Sequence, residues 1–196
     1  VNQAENKGVT PLLIACQKGR TEIVTQLIVA NADVNQANNN GWTPLYVACQ
    51  KGRTEIVAKL LAANADVNQA TNNGGTPLSI ACHVGRTEIV KKLIAANADV
   101  NNSNHLVTGE TPLYSACWMG RTEVVAELLA ANADVNQARN DGATPLYIAS
   151  ERGHTEIVAK LLAAKANVDQ AKNNGSTPMS TACRFGHLGV VQLLSS

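Results

Sequence analysis

The sequence predicts an all-α solenoid, in which short helix–turn–helix units stack on one another and are joined by projecting loops. The first observation is a repeat. The tripeptide Thr-Pro-Leu, which becomes Thr-Pro-Met in the last copy, recurs with spacings of 33, 33, 35, 33 and 33 residues. A fixed period of this length is typical of repeat proteins, whose units pack mainly on their neighbours. The second observation is that each unit carries two apolar stripes at helical spacing, neither long enough to form a stable helix alone.

The first helix of each unit is expected to begin at the Thr-Pro pair. In the second unit, Thr43 is a favourable N-cap and Pro44 suits the first helical position. Leu45 and Ala48 then lie on one apolar face. Gly52 is expected to end the helix, because a residue with left-handed backbone commonly follows the last helical turn.

The second helix is expected to start near Thr54 and to end at Asn64, the usual substitute for glycine at such a position. Its apolar face consists of Ile56, Val57, Leu60 and Leu61. Residues 65–75 then form a turn-rich loop. In the fifth unit Lys165 occupies the position of Asn64, where a left-handed backbone costs a residue other than glycine or asparagine about 1 kcal/mol.

The chain is predicted to be a single domain, 1–196, with repeats at about 5–37, 38–70, 71–103, 104–138, 139–171 and 172–196. The longer spacing places two extra residues between Asp99 and Thr111, in a loop and not in a helix. Residues 1–8 look like the tail of a preceding unit, which favours an excerpt from a longer array. Residues 186–196 are interpreted as an improvised cap.

Four conserved features of the units together resemble the ankyrin repeat: Gly-x-Thr-Pro-Leu-x-x-Ala, a glycine after the first helix, Glu-Ile-Val-x-x-Leu-Leu, and Ala-Asp-Val-Asn. The resemblance covers nearly the whole chain in six copies. It implies L-shaped units with projecting β-hairpin loops, and protein binding through a concave face of hairpin tips and first helices. The chain departs from the family where a histidine usually follows Thr-Pro-Leu; these positions hold Leu13, Tyr46, Ser79, Tyr114, Tyr147 and Ser180.

Charge and hydropathy exclude several classes of partner. The formal net charge is +1, from 16 basic and 15 acidic residues, which argues against a charge-driven binder of nucleic acid or membrane surfaces. No apolar run approaches the length of a membrane span. The resemblance implies that the partner is a protein or peptide, and the chain is expected to act as a monomer.

Five cysteines share one position of the first helix, and Ser150 fills the sixth copy of it; the five are Cys16, Cys49, Cys82, Cys117 and Cys183. Packed helices lie about 8–10 Å apart, whereas a disulfide needs Cα atoms within about 7 Å. We therefore expect free, buried core cysteines. Free thiols favour a reducing intracellular setting, here taken as cytoplasmic.

Catalytic and metal-binding interpretations find little support in the residue pattern. The four histidines, His83, His105, His154 and His187, fall at three different positions of the repeat, and no Cys-x-x-Cys spacing accompanies them. No glycine-rich phosphate loop or nucleophile–base pair stands out. We expect neither an enzyme nor a bound metal or cofactor.

The asparagine of Asp-Val-Asn admits two interpretations. The resemblance implies that it can be hydroxylated when a leucine lies eight residues earlier, as it does for Asn35, Asn68, Asn101 and Asn136. The simpler interpretation, that this asparagine stabilises the hairpin, is sufficient by itself.

Positions where the six copies differ are either free or selected for a partner. The resemblance places the partner face beside the hairpin glycine and just before the glycine of the first helix. Large rings and methionine favour binding hot spots and are concentrated at these positions. The candidate contact residues are Trp42, His83, Val84, Leu106, Val107, Glu110, Trp118, Met119, Glu151, Arg152, Arg184 and Phe185.

A packing interpretation of the same aromatic residues remains open. Trp42 or Trp118 could cover a neighbouring hairpin, and Phe185 could cap the stack. On the binding interpretation, Trp118 and Met119 are apolar anchors, repeats three to five are central, and Glu110, Glu151 and Arg152 set polar specificity.

The sequence leaves three possible functions open. The first is a non-enzymatic protein-interaction module. The second is a structural spacer or targeting segment of a larger protein whose activity lies outside this chain. The third is a consensus-like scaffold, against which the irregular fourth repeat argues.

Overall fold

The computed structural model describes residues 1–104 and 108–196, which divide into two compact bodies, Val1–Asp99 and Val100–Ser196. After a 3-10 turn at Asn6–Gly8, the helices of the first body are α1 (Pro11–Lys18), α2 (Thr21–Val29), α3 (Pro44–Lys51), α4 (Thr54–Ala62), α5 (Pro77–Val84) and α6 (Thr87–Ala95). Those of the second are α7 (Pro112–Trp118), α8 (Thr122–Ala130), α9 (Pro145–Arg152), α10 (Thr155–Ala163), α11 (Pro178–Phe185) and α12 (Leu188–Leu194). The described residues contain no β-strand, and the predicted all-α architecture of repeated helix pairs is confirmed.

Threonine caps every first helix, as the sequence predicts. Thr43 Oγ1 accepts a hydrogen bond of 3.0 Å from the backbone amide of Tyr46, and the five sister threonines make the same contact. In two repeats a serine completes the cap. Ser79 Oγ accepts from the amide of Thr76 at 2.8 Å, and Ser180 repeats this arrangement, so two more helix-end groups are paired. Serine thus has a local role where the family commonly places histidine.

The predicted helix ends are also confirmed. Gly52 has φ 69° and ψ 35°, which is left-handed backbone, and its sister glycines have positive φ as well. After the second helices, Asn31, Asn64, Asn97 and Asn132 have φ between 59° and 63°. Lys165, with φ 65°, adopts the same conformation without the small side chain that tolerates it.

Each body builds its core by packing first helices in one layer and second helices in another. In the first body α3 packs between α1 and α5, and α4 between α2 and α6. In the second body α9 packs between α7 and α11, and α10 between α8 and α12. Leu45, Val57 and Leu60 of the second repeat are completely buried. The short helices are therefore stable because their apolar faces are covered by neighbours.

The loops of successive repeats are joined by a ladder of asparagine side chains. Asn35 Oδ1 accepts from the amide of Asp66 at 2.8 Å, and Asn136 Oδ1 accepts from the amide of Asn167 at 2.8 Å. Asn68 and Asn101 make the corresponding bonds within their own bodies. The structure thus supports a hairpin-stabilising role for this asparagine.

The cysteine prediction is right for four residues and wrong for one. All five cysteines are free, and four are buried. Burial raises the pKa of Cys16 to about 12, and raises those of Cys49, Cys82 and Cys117 further. Cys183, however, is exposed. It lies on α11, which packs on α9 and α12, and no described helix covers the face of α11 that points away from α9.

Candidate functional site

The ends of three neighbouring first helices bring the variable residues of the second body together. Helix α7 ends at Trp118 and is followed by Met119, while α9 and α11 end with the equivalent pairs. Because α9 packs on both α7 and α11, these helix ends lie side by side. We call this set the variable surface; it comprises Trp118, Met119, Glu151, Arg152, Arg184 and Phe185.

Trp118 is half-buried, and its indole ring is covered in part by a cation from the next repeat. The guanidinium carbon of Arg152 lies 5.7 Å from the centroid of the Trp118 ring, which is within the range of a cation–π interaction. Met119, beside it, is 36% exposed. The structure therefore places one partly covered ring and one accessible thioether at the end of α7.

Phe185 is the most exposed ring of the variable surface, with 55% of its area accessible. Its ring stacks on that of His187 at a centroid distance of 6.3 Å. His187 Nε2 lies 3.0 Å from the backbone oxygen of Glu151, so the imidazole links the last two repeats. A Cβ atom at Gly153 would lie only 2.6 Å from His187 Nδ1, which explains why glycine stands there. His187 therefore has a structural role between the last two repeats.

A chain of alternating charges runs through the hairpins of the second body. Arg139 Nη1 lies 3.4 Å from Glu110 Oε1, and Arg139 Nε lies 3.6 Å from Asp141 Oδ1. Lys172 Nζ lies 3.0 Å from Asp141 Oδ2. Glu110, a predicted contact residue, is therefore already paired with a cation of the following repeat.

The same network sets the protonation of Asp141. Partial burial favours the neutral carboxyl, but hydrogen bonds from Lys172 and from the Ala143 amide outweigh it, together with the positive charges of Lys172 and Arg139. The pKa of Asp141 is consequently below its ordinary value of 3.8. The carboxylate is thus held ionised between two cations.

Two tyrosines connect this charge network to the first helices. Arg139 Nη1 donates to the Tyr114 hydroxyl at 3.3 Å, and its guanidinium carbon lies 5.2 Å from the centroid of the Tyr114 ring. Lys172 Nζ lies 5.6 Å from the ring centroid of Tyr147. Burial raises the pKa of Tyr114 to about 12, against the hydrogen bond and charge of Arg139. These contacts give Tyr114 and Tyr147 a structural role in joining neighbouring repeats.

The sequence patterns did not identify Arg139 and Lys172 as members of this charge network, although both are basic and occupy the same position of the hairpin. The signal is a basic residue 25 positions after a tyrosine, which occurs for Tyr114 and Tyr147. Comparing variable positions one by one does not show that such pairs meet.

The candidate residues of the first body lie in a different setting. Trp42 is half-buried and stacks on Tyr46 of its own repeat at a centroid distance of 5.9 Å, and its amide donates to Asn38 Oδ1 at 3.0 Å. His83 and Val84 are half-buried at the end of α5. The predicted contacts Leu106 and Val107, and also His105, lie outside the described residues. Trp42 is therefore better explained by packing than Trp118 is.

Residues 1–104 and 108–196 offer neither a cluster of metal ligands nor a membrane span. Within these ranges, no group of three or more His, Cys, Asp or Glu side chains could hold a metal ion. No helix there is both long and apolar enough to cross a membrane. The second helices carry surface ion pairs: Lys59 Nζ lies 3.9 Å from Glu55 Oε1, and Lys160 Nζ lies 3.7 Å from Glu156 Oε1.

Comparison with known families gives one clear match. A family model described as ankyrin repeats, in three copies, matches residues 1–71, 58–139 and 128–196, which together span the chain. A search of curated proteins found no match.

Proposed function

The chain belongs to the ankyrin repeat family, whose members generally act in protein–protein interaction, and we propose that it is a non-enzymatic module that binds a protein or peptide through the variable surface. The observation that carries the proposal is the Trp118–Met119 pair at the end of α7, in which a half-buried ring lies beside a thioether side chain that is 36% exposed. The second repeat has Gln50 and Lys51 at the equivalent positions, so the fold does not require an aromatic ring or a thioether there.

Trp118 and Met119 act as apolar anchors in this proposal. Tryptophan and methionine are enriched at interfaces, and tryptophan is among the residues whose removal costs the most binding energy. A ring that is already held in place loses little side-chain entropy when a partner covers it. Trp118 is half-buried and contacts Arg152, and both features restrict the motion of its ring.

The polar rim consists of Glu151, Arg152 and Arg184. Glu110 contributes less than its sequence position indicates, because its carboxylate is engaged by Arg139 at 3.4 Å. Phe185, which is 55% exposed, extends the apolar part of the variable surface into the last repeat. The free cysteines agree with an intracellular, reducing setting. Binding as a monomer in that setting is part of the proposal.

An affinity pull-down from the organism that encodes the chain tests the proposal. The full chain is compared with the double variant Trp118→Gln/Met119→Lys, which installs the residue pair of the second repeat. A matched control, Gln50→Ala/Lys51→Ala, changes the equivalent positions of the first body. We expect wild type and control to retain the same partner and the double variant to lose it, with helicity unchanged by circular dichroism.

Equal retention by the double variant would reject the assignment of Trp118 and Met119. Failure of the wild-type chain to retain any specific partner would favour the spacer or targeting role.

A further inference from the structure

The two arginines of the variable surface differ in their contacts from Arg139 and Lys172, the two cations of the charged hairpin network. Arg152 and Arg184 are both exposed. Across the described parts of the chain, neither guanidinium makes an ion pair or hydrogen bond within the second body. Arg139 and Lys172, by contrast, lie within 3.6 Å of Glu110 or Asp141.

Arg152 also contacts a ring of the preceding repeat. Its guanidinium carbon lies 5.7 Å from the centroid of the Trp118 ring. A guanidinium stacked on a ring keeps its N–H donors available for a carboxylate, and its planar fork matches that anion in a bidentate arrangement. Trp118 and Arg152 therefore act together: the ring offers an apolar surface, and the guanidinium offers N–H donors to an anion.

The helix dipole explains only in part why Arg152 and Arg184 stand near the ends of α9 and α11. A basic residue in the last turn of a helix is favourable, and Lys18 and Lys51 meet that preference in the first body. The dipole does not require a basic residue to lie over a tryptophan of the preceding repeat. Glu151 is the single acidic residue of the variable surface, against Arg152 and Arg184.

We propose that the variable surface recognises a linear peptide segment in which an Asp or Glu side chain stands beside a large apolar side chain. The apolar side chain covers Trp118, Met119 and Phe185, and the carboxylate binds between Arg152 and Arg184. This inference rests on the proposed function, since it names the partner chemistry of the same surface.

A displayed library of random short peptides, selected on the full chain, tests the inference, and the enriched peptides are then synthesised. Enrichment of Asp or Glu next to Leu, Phe or Trp is expected. Changing that acid to its amide, or making Arg152→Gln/Arg184→Gln, weakens binding roughly three- to tenfold, as expected for two partly exposed ion pairs. The control Lys18→Gln/Lys51→Gln leaves the affinity unchanged.

Charge reversal sharpens the test. The Arg152→Glu/Arg184→Glu variant should bind a Lys-substituted form of the enriched peptide more tightly than the acidic original. Peptides that need Trp118 and Met119 but show no acidic preference would overturn the inference and leave the proposed function intact. Binding of a phosphoserine version with no binding of the Asp or Glu version would also overturn it. No enriched peptide would overturn the inference of a linear peptide ligand. Binding that survives Trp118→Gln/Met119→Lys would contradict both proposals.

Discussion

Arg152 and Trp118 belong to neighbouring repeats, yet the guanidinium carbon of Arg152 lies 5.7 Å from the centroid of the Trp118 ring. The most distinctive part of the variable surface is therefore shared between two repeats. Neither repeat alone could present it, because the ring ends α7 and the cation ends α9. Stacking thus builds the surface as well as the core.

Replacing Lys165 with glycine should stabilise the fold. Lys165 has φ 65° and an exposed side chain, so glycine would relieve left-handed strain of about 1 kcal/mol without removing a buried contact. A higher midpoint in urea unfolding is expected. Asn132→Gly is the matched control, with a smaller gain, because asparagine tolerates this conformation better. An unchanged or lower midpoint for Lys165→Gly would show that the strain is absent.

Ser150→Cys should also stabilise the fold. Ser150 is completely buried, and its Oγ has no hydrogen-bond partner among the described residues. Desolvating an unpaired hydroxyl costs about 1–3 kcal/mol, and the equivalent positions of four other repeats hold buried cysteines. Urea unfolding with reductant present should show a gain of about 1 kcal/mol. Cys117→Ser, the reciprocal change, should lose stability; a loss in Ser150→Cys would contradict the argument.

Removing one step of the asparagine ladder should weaken the contact between two loops. Asn136→Ala loses the acceptor that lies 2.8 Å from the Asn167 amide, which should cost about 0.5–1.5 kcal/mol in thermal or urea unfolding. Asn136→Asp retains an acceptor and should keep most of the stability. Gln137→Ala, one residue away, should have little effect. Equal losses in all three variants would argue against a specific role for this bond.

The pKa of Asp141 predicts an acid-dependent loss of stability. Since its folded pKa lies below the ordinary value of 3.8, Asp141 stabilises the fold fully above that value and loses the contribution as the pH falls through the folded pKa. Asp141→Asn should therefore be less stable than wild type near about pH 7, and the difference should shrink near about pH 3. Lys172→Gln should reduce the pH dependence of the wild-type chain. A stability difference independent of pH would contradict the ion-pair explanation.

The repeat, the helix ends and the caps could be predicted because each depends on neighbouring residues in the chain. Thr43, Gly52 and Asn64 act within a few positions of themselves, and comparison of the copies identifies them. The exposure of Cys183 could not be predicted by comparing the six copies of the repeat. Its repeat position is that of a core residue, but burial there depends on a helix packed on the face of α11 away from α9, and the described residues place none there.

The candidate site was predictable only in part for a related reason. Disagreement among the copies identified Trp118 and Arg152 as unusual residues, and the packing of α9 on α7 was needed to bring them together. Glu110 was chosen as a free rim residue, whereas Arg139, at a hairpin position outside the compared set, pairs with it. Contacts between variable positions of different repeats depend on side-chain direction, which the period alone does not fix.

Methyl NMR of the full chain labelled at methionine tests the central claim most directly, since the chain has two methionines, Met119 and Met179. Met119 lies on the variable surface, whereas Met179 is near the start of α11. A Met119→Leu variant assigns the two signals. On addition of the partner identified by pull-down, the Met119 signal should shift or broaden while that of Met179 stays in place. A Met119 signal that does not change when the partner is bound would contradict the proposed binding surface.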